Sequence, residues 1–266
     1  MTQHTDQPDD RISEPLASAS AEIDTKPKVS VVIPAMNEMR TIDKIVHEAR
    51  SVHPLTEVIV IDNGSQDGTA MIAAQAGARV IRYAAALGHD VGRSIGAREA
   101  RGDIILFTDG DIVIGANNLI PFVEAVDRGV DVALNMYEGK LRSSEITTVA
   151  LCKKVLNAML QRSDLGGSSL TTIPHAMSRR ALNIIGLESL AVPPKAQAIA
   201  ITKGLLVQPV HFVDVGAVNP KRRKKPDPLV PLITGDHLEA IHWLLSQEGP
   251  RANFSDLGRK RERVVD

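Results

Sequence analysis

An α/β fold with a mostly parallel central sheet flanked by helices is predicted by three observations. Short β-branched runs alternate with helical stretches of about ten residues through the first half of the chain, the pattern of βαβ units. The runs are nearly continuous in apolar residues, as strands buried on both faces are. Each of the main runs also stops at a cluster of polar residues, and parallel sheets bind ligands at the carboxyl ends of their strands.

Val29-Ser30-Val31-Val32-Ile33 is the first strand, stopped by Pro34, with Asn37 and Glu38 at the mouth of a helix over 41–52. A second strand over 57–61 ends at Asp62-Asn63-Gly64-Ser65. Asp67 and Thr69 then cap a helix running through Ala76, which Gly77 closes. A third strand covers 78–82, and a loop with Gly88 and Gly92 leads into a helix over 93–101 that Gly102 stops. The fourth strand, 103–107, ends at Thr108-Asp109-Gly110-Asp111.

The second half is less regular. It reads as a helix over 119–128, a strand over 130–136 and a long amphipathic helix over 146–161. A Gly/Ser-rich connection over 163–172 precedes helices over 178–185 and 196–203, a strand over 205–213 and a last helix over 236–246. Lys221-Arg222-Arg223-Lys224-Lys225, bracketed by Pro220 and Pro226, is an exposed basic loop.

The 266 residues are 43% hydrophobic, enough for one α/β domain with a sizeable core. Lys+Arg of 31 against Asp+Glu of 32 leaves a formal charge of −1, which gives no global attraction to nucleic acid or an anionic membrane. Aromatic residues, at 3%, are too few for a base-stacking surface. The single Cys152 makes no internal disulfide and no Cys/His spacing suggests zinc, so a reducing cytoplasm is the expected compartment. No apolar run approaches the roughly 18–20 residues of a transmembrane segment. Residues 1–27, polar and without a signal peptide's apolar stretch, are expected to be a disordered leader. The oligomeric state, a homodimer included, is left open.

Two carboxylates separated by one glycine, directly after an apolar strand, suit a hard divalent cation such as Mg²⁺ or Mn²⁺ shared with substrate phosphates. Such a cation neutralises a diphosphate and assists its departure. Asp and Gly also favour plain turns. What singles out Asp109 and Asp111 is their sharing an edge with Asn37-Glu38 and Asp62-Asn63. Asp62 offers an acceptor to a nucleobase imide or a ribose, and it equally suits capping of the turn that follows.

These motifs carry a family resemblance. Residues 28–111 resemble the nucleotide-binding half of family 2 glycosyltransferases, which have the GT-A fold. Residues 29–38 (VSVVIPAMNE) look like that family's first-strand motif, 57–69 (EVIVIDNGSQDGT) like its second, and 102–111 (GDIILFTDGD) like its Asp-x-Asp strand. Gly88-His89-Asp90-Val91-Gly92-Arg93 stands where the family has a glycine-rich loop reaching towards the diphosphate. The resemblance implies a metal-dependent transfer of a sugar from a UDP- or GDP-sugar to a hydroxyl acceptor. It divides the chain into a nucleotide-sugar-binding half over 28–111, an acceptor-side half of the same domain over 112–250 and a charged tail over 251–266. It implies nucleotide-sugar contacts from Pro34, Asn37, Glu38, Asp62 and Asn63, and a diphosphate contact from Arg93. Asp111 would hold metal and diphosphate, with Asp109 nearer the ribose or donor sugar and both carboxylates catalytic.

The chain also departs from the family. Met36 stands where an aromatic residue is common. Val192-Pro193-Pro194-Lys195-Ala196-Gln197 has no carboxylate where many inverting members carry their general base. Three explanations stay open: a retaining reaction, a base from elsewhere with Glu188 and Asp164 nearest, or binding without turnover. Retaining relatives often add a histidine as metal ligand at the position His211 occupies. The segment 171–180 resembles the family's acceptor side, where His175 would face the acceptor and Arg179 or Arg180 would pair with an acidic one. Both arginines equally suit a solvated helix surface, and the basic loop either covers the donor, meets an anionic acceptor or is simply solvated. A nucleotidyltransferase is disfavoured because Pro34-Ala35-Met36-Asn37-Glu38 is not a Gly-rich triphosphate loop. A Rossmann dehydrogenase is disfavoured by the lack of G-x-G-x-x-G after the first strand. A non-catalytic nucleotide-sugar-binding scaffold is the alternative from another class.

Overall fold

The computed structural model describes residues 26–137, 146–218 and 227–264. Its first half is β1 (Val29–Ala35), α1 (Ile42–Arg50), β2 (Thr56–Asn63), α2 (Thr69–Gln75), β3 (Arg79–Tyr83), α3 (Val91–Glu99) and β4 (Ile104–Phe107). The second half continues with α4 (Ala116–Asp127), β5 (Val132–Asn135), α5 (Thr148–Met159), β6 (His175–Ser178) and α6 (Arg179–Ile185). It ends with α7 (Pro193–Thr202), β7 (Val207–His211), α8 (Val215–Val218) and α9 (Leu229–Glu248).

One seven-stranded sheet runs in the order β3-β2-β1-β4-β6-β5-β7. β6 is antiparallel to β4 and β5, while the other pairings among the described residues are parallel. Alternate residues of β1 face opposite sides, and both sides are dry. Val29, Val31 and Ile33 pack with α1 and α4, whereas Val32 packs with α3 and the layer of α6 and α7. Each such fully buried aliphatic side chain contributes about 1.5–3 kcal/mol. A Cβ on Gly96 would stand 2.2 Å from Val32 Cγ1, so the missing side chain is what lets α3 lie this close on β1. Beyond α7, helices α5 and α9 add a third layer through Leu156, Ala198, Ala240 and Leu244.

The elements expected from sequence form with shifts of a few residues at their ends, and the exceptions have physical reasons. β6 has no counterpart in the sequence reading, because His-Ala-Met-Ser is short and carries no β-branched residue. Its strand state comes from its neighbours, since it fills the gap between β4 and β5. α9 starts at Leu229 rather than 236 and α7 at Pro193 rather than 196. Pro193, Pro194 and Pro231 sit in the first turns of these helices, where no intrahelical N–H bond is lost. The expected leader is too long at its inner end, since Lys26 Nζ lies 2.5 Å from Asp103. The expected tail is partly packed, with Ala252 buried beside α9 and Arg259 and Arg261 both paired with Asp256. Residues 1–25 and the basic loop Lys221–Lys225 lie outside the described residues. No helix among the described residues is long and apolar enough to cross a membrane.

Candidate active site

The parallel order β2-β1-β4 sets three polar strand ends side by side, and their side chains tie one loop to the next. After β1, Asn37 takes a left-handed backbone (φ 60°). Its N–H donates to Ser65 Oγ at 2.9 Å and its Oδ1 accepts from Gln66 N at 2.8 Å. Glu38 N–H donates to Thr69 Oγ1 at 2.8 Å. After β2, Asn63 accepts from Leu87 N at 2.6 Å and donates to the Gly88 carbonyl at 3.1 Å, which fastens the glycine-bearing loop. After β4, Gly110 N–H donates to the Pro34 carbonyl at 3.1 Å, and Thr41 Oγ1 donates to the Gly110 carbonyl at 2.7 Å. A Cβ on Gly110 would stand 2.8 Å from Ala35 Cβ, so the turn between the two aspartates needs glycine.

This frame crowds carboxylates. Glu38 and Asp111 lie close enough that burial first, and then the charge of Asp111, push the Glu38 carboxyl above its usual range. Next to them a buried guanidinium bridges two loops. Arg93, 5% exposed, donates from Nη2 to Asp109 Oδ1 at 2.8 Å and pairs through Nη1 with Asp90. Asp90 holds a left-handed backbone (φ 63°) at the start of α3. Arg93 Nε, Ser94 Oγ and Thr108 Oγ1 are buried without a hydrogen-bond partner among the described residues. Buried orphan groups of this kind cost about 1–3 kcal/mol each, so a cluster of them calls for a ligand or water.

Arg93 also lines a small pocket, with room for about one water, together with Phe107, Leu170, His175, Leu190, Pro193 and Ala196. His175 is 3% exposed and stacks on Phe107 at 5.1 Å between ring centroids. Its Nδ1 lies 3.0 Å from the Thr172 carbonyl. Burial first, and then the charge of Arg93, lower its pKa to about 4, so the imidazole is neutral at physiological pH.

The sequence-derived residues thus separate. Pro34, Asn37, Glu38, Asn63, Arg93, Asp109 and Asp111 meet along one edge, and His175 borders it through the Arg93 pocket. Asp62 stands at this edge but is fully buried. Its Oδ1 accepts from Ser65 N and its Oδ2 from Arg82 Nε, both at 3.1 Å, so its carboxylate holds the loop.

Three expectations need correction. Arg179 is not on the acceptor side: β6 runs antiparallel, which carries its end to the amino edge of β4, where the guanidinium donates to the carbonyls of Ala100 and Gly102. Arg180 sits there too, paired with Asp131 at 2.7 Å. His211, at the end of β7, packs on α4. Its Nε2 meets Asn118 Oδ1 at 3.1 Å and its ring meets Phe122, and no group of three His, Cys, Asp or Glu among the described residues is placed to hold a metal. Of the candidate bases, Asp164 is clamped by Arg162 at 2.8 Å, Glu188 is exposed, and neither lines the pocket. Asp90 was missed, although its i, i+3 spacing from Arg93 at a helix start was a usable signal.

The family model for glycosyl transferase family 2 matches residues 30–183, more than half of the chain. The chain belongs to glycosyl transferase family 2. Glucosyl-3-phosphoglycerate synthase of Mycobacterium tuberculosis (strain H37Rv) is 31% identical to this family 2 chain over 137 residues, 45% of this chain and 41% of that protein. Glycosyltransferase AglE of Haloferax volcanii is 38% identical over 95 residues, 33% of this chain and 31% of the relative. The chain's match thus spans less than half the length of either relative. A crystal structure of the M. tuberculosis synthase with Mn²⁺ and uridine-diphosphate-glucose superposes with a TM-score of 0.63 at 23% identity, covering 87% of this chain and 81% of that one. The same synthase with Mn²⁺, uridine diphosphate and phosphoglyceric acid gives a TM-score of 0.60 at 22% identity, over 87% of this chain and 81% of that one. The family 2 chain has the GT-A fold that its motifs implied.

Proposed function

We propose that the chain transfers a sugar from a nucleoside-diphosphate sugar to a hydroxyl acceptor with a divalent cation, Mg²⁺ or Mn²⁺, in the cytoplasm. The observation that carries this reading is the charge arrangement after β1 and β4: Glu38, Asp109 and Asp111 crowd one edge and a buried arginine stands beside them. The residues fit a cation, since two carboxylates on a fixed turn offer hard oxygen ligands and the strain between Glu38 and Asp111 is of the kind that a cation relieves. Asp111 and Asp109 would hold it, and it would supply charge neutralisation for the departing diphosphate.

The chain's own residues do the rest. Arg93 offers guanidinium N–H groups to phosphate oxygens in exchange for Asp109. Asn37 and Asn63 fix the loops that border the nucleotide. Positioning of donor and acceptor accounts for most of the rate in such transfers. The stretch 192–197 carries no carboxylate where many inverting members have their base, which supports a reaction without a carboxylate base on the acceptor. The same observation favours one second reading, a protein that binds a nucleotide-sugar and does not turn it over.

The test is melting of the full chain with a panel of UDP- and GDP-sugars, with and without Mn²⁺, alongside release of the nucleoside diphosphate. A Mn²⁺-dependent rise with one nucleotide series, absent in Asp111→Asn, and release of the diphosphate are expected. A rise without release on any acceptor selects the second reading, and no rise with any nucleotide overturns both.

A further inference from the structure

Asp90 stands where a helix-capping residue belongs and does something else. An aspartate at the N-cap normally accepts from the N–H groups of the first helical turn. The side chain of Asp90 makes no such bond to α3. It turns along the helix and pairs with Arg93 Nη1, and the two side chains are only 5% and 7% exposed. Its other charged neighbour among the described residues is His89, whose Nε2 lies 3.6 Å from Oδ2. The helix that carries the pair is pressed onto β1. Added Cβ atoms on Gly92 and Gly96 would stand 3.1 Å from Pro34 Cβ and 2.2 Å from Val32 Cγ1. A buried ion pair adds little to stability, because desolvation offsets its attraction, so a capping aspartate diverted into one calls for another role.

The geometry beside Asp109 supplies that role. A guanidinium and a carboxylate left to themselves favour two parallel N–H···O bonds. Arg93 and Asp109 do not make them. With Nη1 held by Asp90, Nη2 donates to Asp109 Oδ1 alone, at 2.8 Å. Asp109 itself is 31% exposed and opens to the edge where Asp111 and Glu38 crowd.

We infer that Asp90 is a positioning residue: by occupying Nη1 of Arg93 it limits Arg93 to one oxygen of Asp109 and keeps the other available to a divalent cation. The inference rests on the metal-dependent reading given under Proposed function and adds what keeps its carboxylates free. Without Asp90, Nη1 turns to Asp109, the fork closes on both oxygens, and the cation has to compete with it.

The test is calorimetric binding of Mn²⁺ to the full chain saturated with UDP or GDP, whichever binds wild type more tightly. Asp90→Gly suits the left-handed backbone (φ 63°) and removes the carboxylate. It is expected to weaken Mn²⁺ about tenfold. Asp90→Asn, whose amide oxygen still accepts from Nη1, is expected to lose less. Both are expected to bind the nucleotide without Mn²⁺ within about twofold of wild type, which also reports folding. The same substitution is then made on two altered backgrounds. In Arg93→Met, Asp90→Gly is expected to change Mn²⁺ affinity by less than about twofold. In Arg93→Lys, which keeps a charged partner for Asp90 and has no fork to close, the loss is expected to stay below about threefold.

A tenfold loss that persists in both backgrounds means that Asp90 acts on the cation by its own charge, and it overturns the inference. Unchanged or tighter Mn²⁺ binding in Asp90→Gly overturns it as well. Either result leaves the metal-dependent reading standing. If wild type binds no Mn²⁺ with either nucleotide, that reading falls and the inference with it.

Discussion

Asp111 and Asn135 both follow from strands of one sheet, and the protein uses them in opposite ways. Asn135 is fully buried and saturated. Its amide donates to the carbonyls of Ile173 and Val213 at 2.9 and 3.0 Å and accepts from the N–H groups of Tyr137 and Val213, both at 3.0 Å. Asp111 is half-buried, and its negative charge acts on Glu38. The contrast extends towards the two halves, although His237 Nε2 in the second is also buried without a partner among the described residues. In the second half, Gln197 donates to Asn157 and accepts from Leu170 N, and Asn157 donates to the carbonyls of Gly166 and Ser168. In the first half, Glu38 and Asp111 remain crowded and Arg93 Nε and Thr108 Oγ1 remain unpaired. Saturated polar groups hold a backbone together, while crowded or unpaired ones mark where a ligand completes the structure.

The contrast can be broken most directly at its two poles. Asp111→Asn is expected to lower transfer by at least about 100-fold while leaving the melting temperature unchanged or higher, because it removes a like charge beside Glu38. Diphosphate release and a thermal melt on the same sample check both halves of that statement. A large fall in melting temperature would show that Asp111 is structural. Asn135→Ala, by contrast, is expected to cost about 3 kcal/mol of stability, read from the urea midpoint, since it strands several buried backbone groups. Nucleotide affinity per folded molecule should stay as in wild type.

Lys153 sharpens the comparison, because it is a buried cation in the half where Asn135, Asn157 and Gln197 are paired. Its ammonium hydrogen-bonds Thr172 Oγ1, and burial lowers its pKa to about 8. A lysine whose folded pKa lies below its unfolded value destabilises the fold fully below pH 8, and the penalty fades as pH rises towards 10.5. Wild type is therefore expected to gain stability over that window relative to Lys153→Met, by at most about 3 kcal/mol. Paired urea titrations at several pH values measure the difference, and parallel curves would mean that the ammonium is solvated. The smallest effect belongs to Lys195→Ala. It removes an exposed pair with Glu239 across α7 and α9 and is expected to change the urea midpoint by no more than about 0.5 kcal/mol.

Much of the edge was legible because its signals are local. The runs that became β1, β2 and β4 are continuous and apolar, and each stops at a polar cluster, so Glu38, Asp109 and Asp111 were placed together from spacing alone. The errors come from facts that spacing does not contain. Arg179 was assigned to the wrong end because strand direction is set by pairing, and β6 was not visible as a strand. Asp62 was at the right edge, but its commitment to Ser65 and Arg82 depends on side chains that meet only in the fold.

The position of β6 also bears on how the chain assembles. β5 is made before β6, yet its two neighbours in the sheet, β6 and β7, both come later. A nascent chain emerging from the ribosome can complete β3-β2-β1-β4 as a unit, but β5 has nothing to pair with until α5 and the following loop have been made. In that interval the outer edge of β4 stays open to other strands, the situation in which unpaired edges recruit the wrong partner. In chain order the sheet is completed by a strand set into its middle, and His175–Ser178 covers the edges of both β4 and β5.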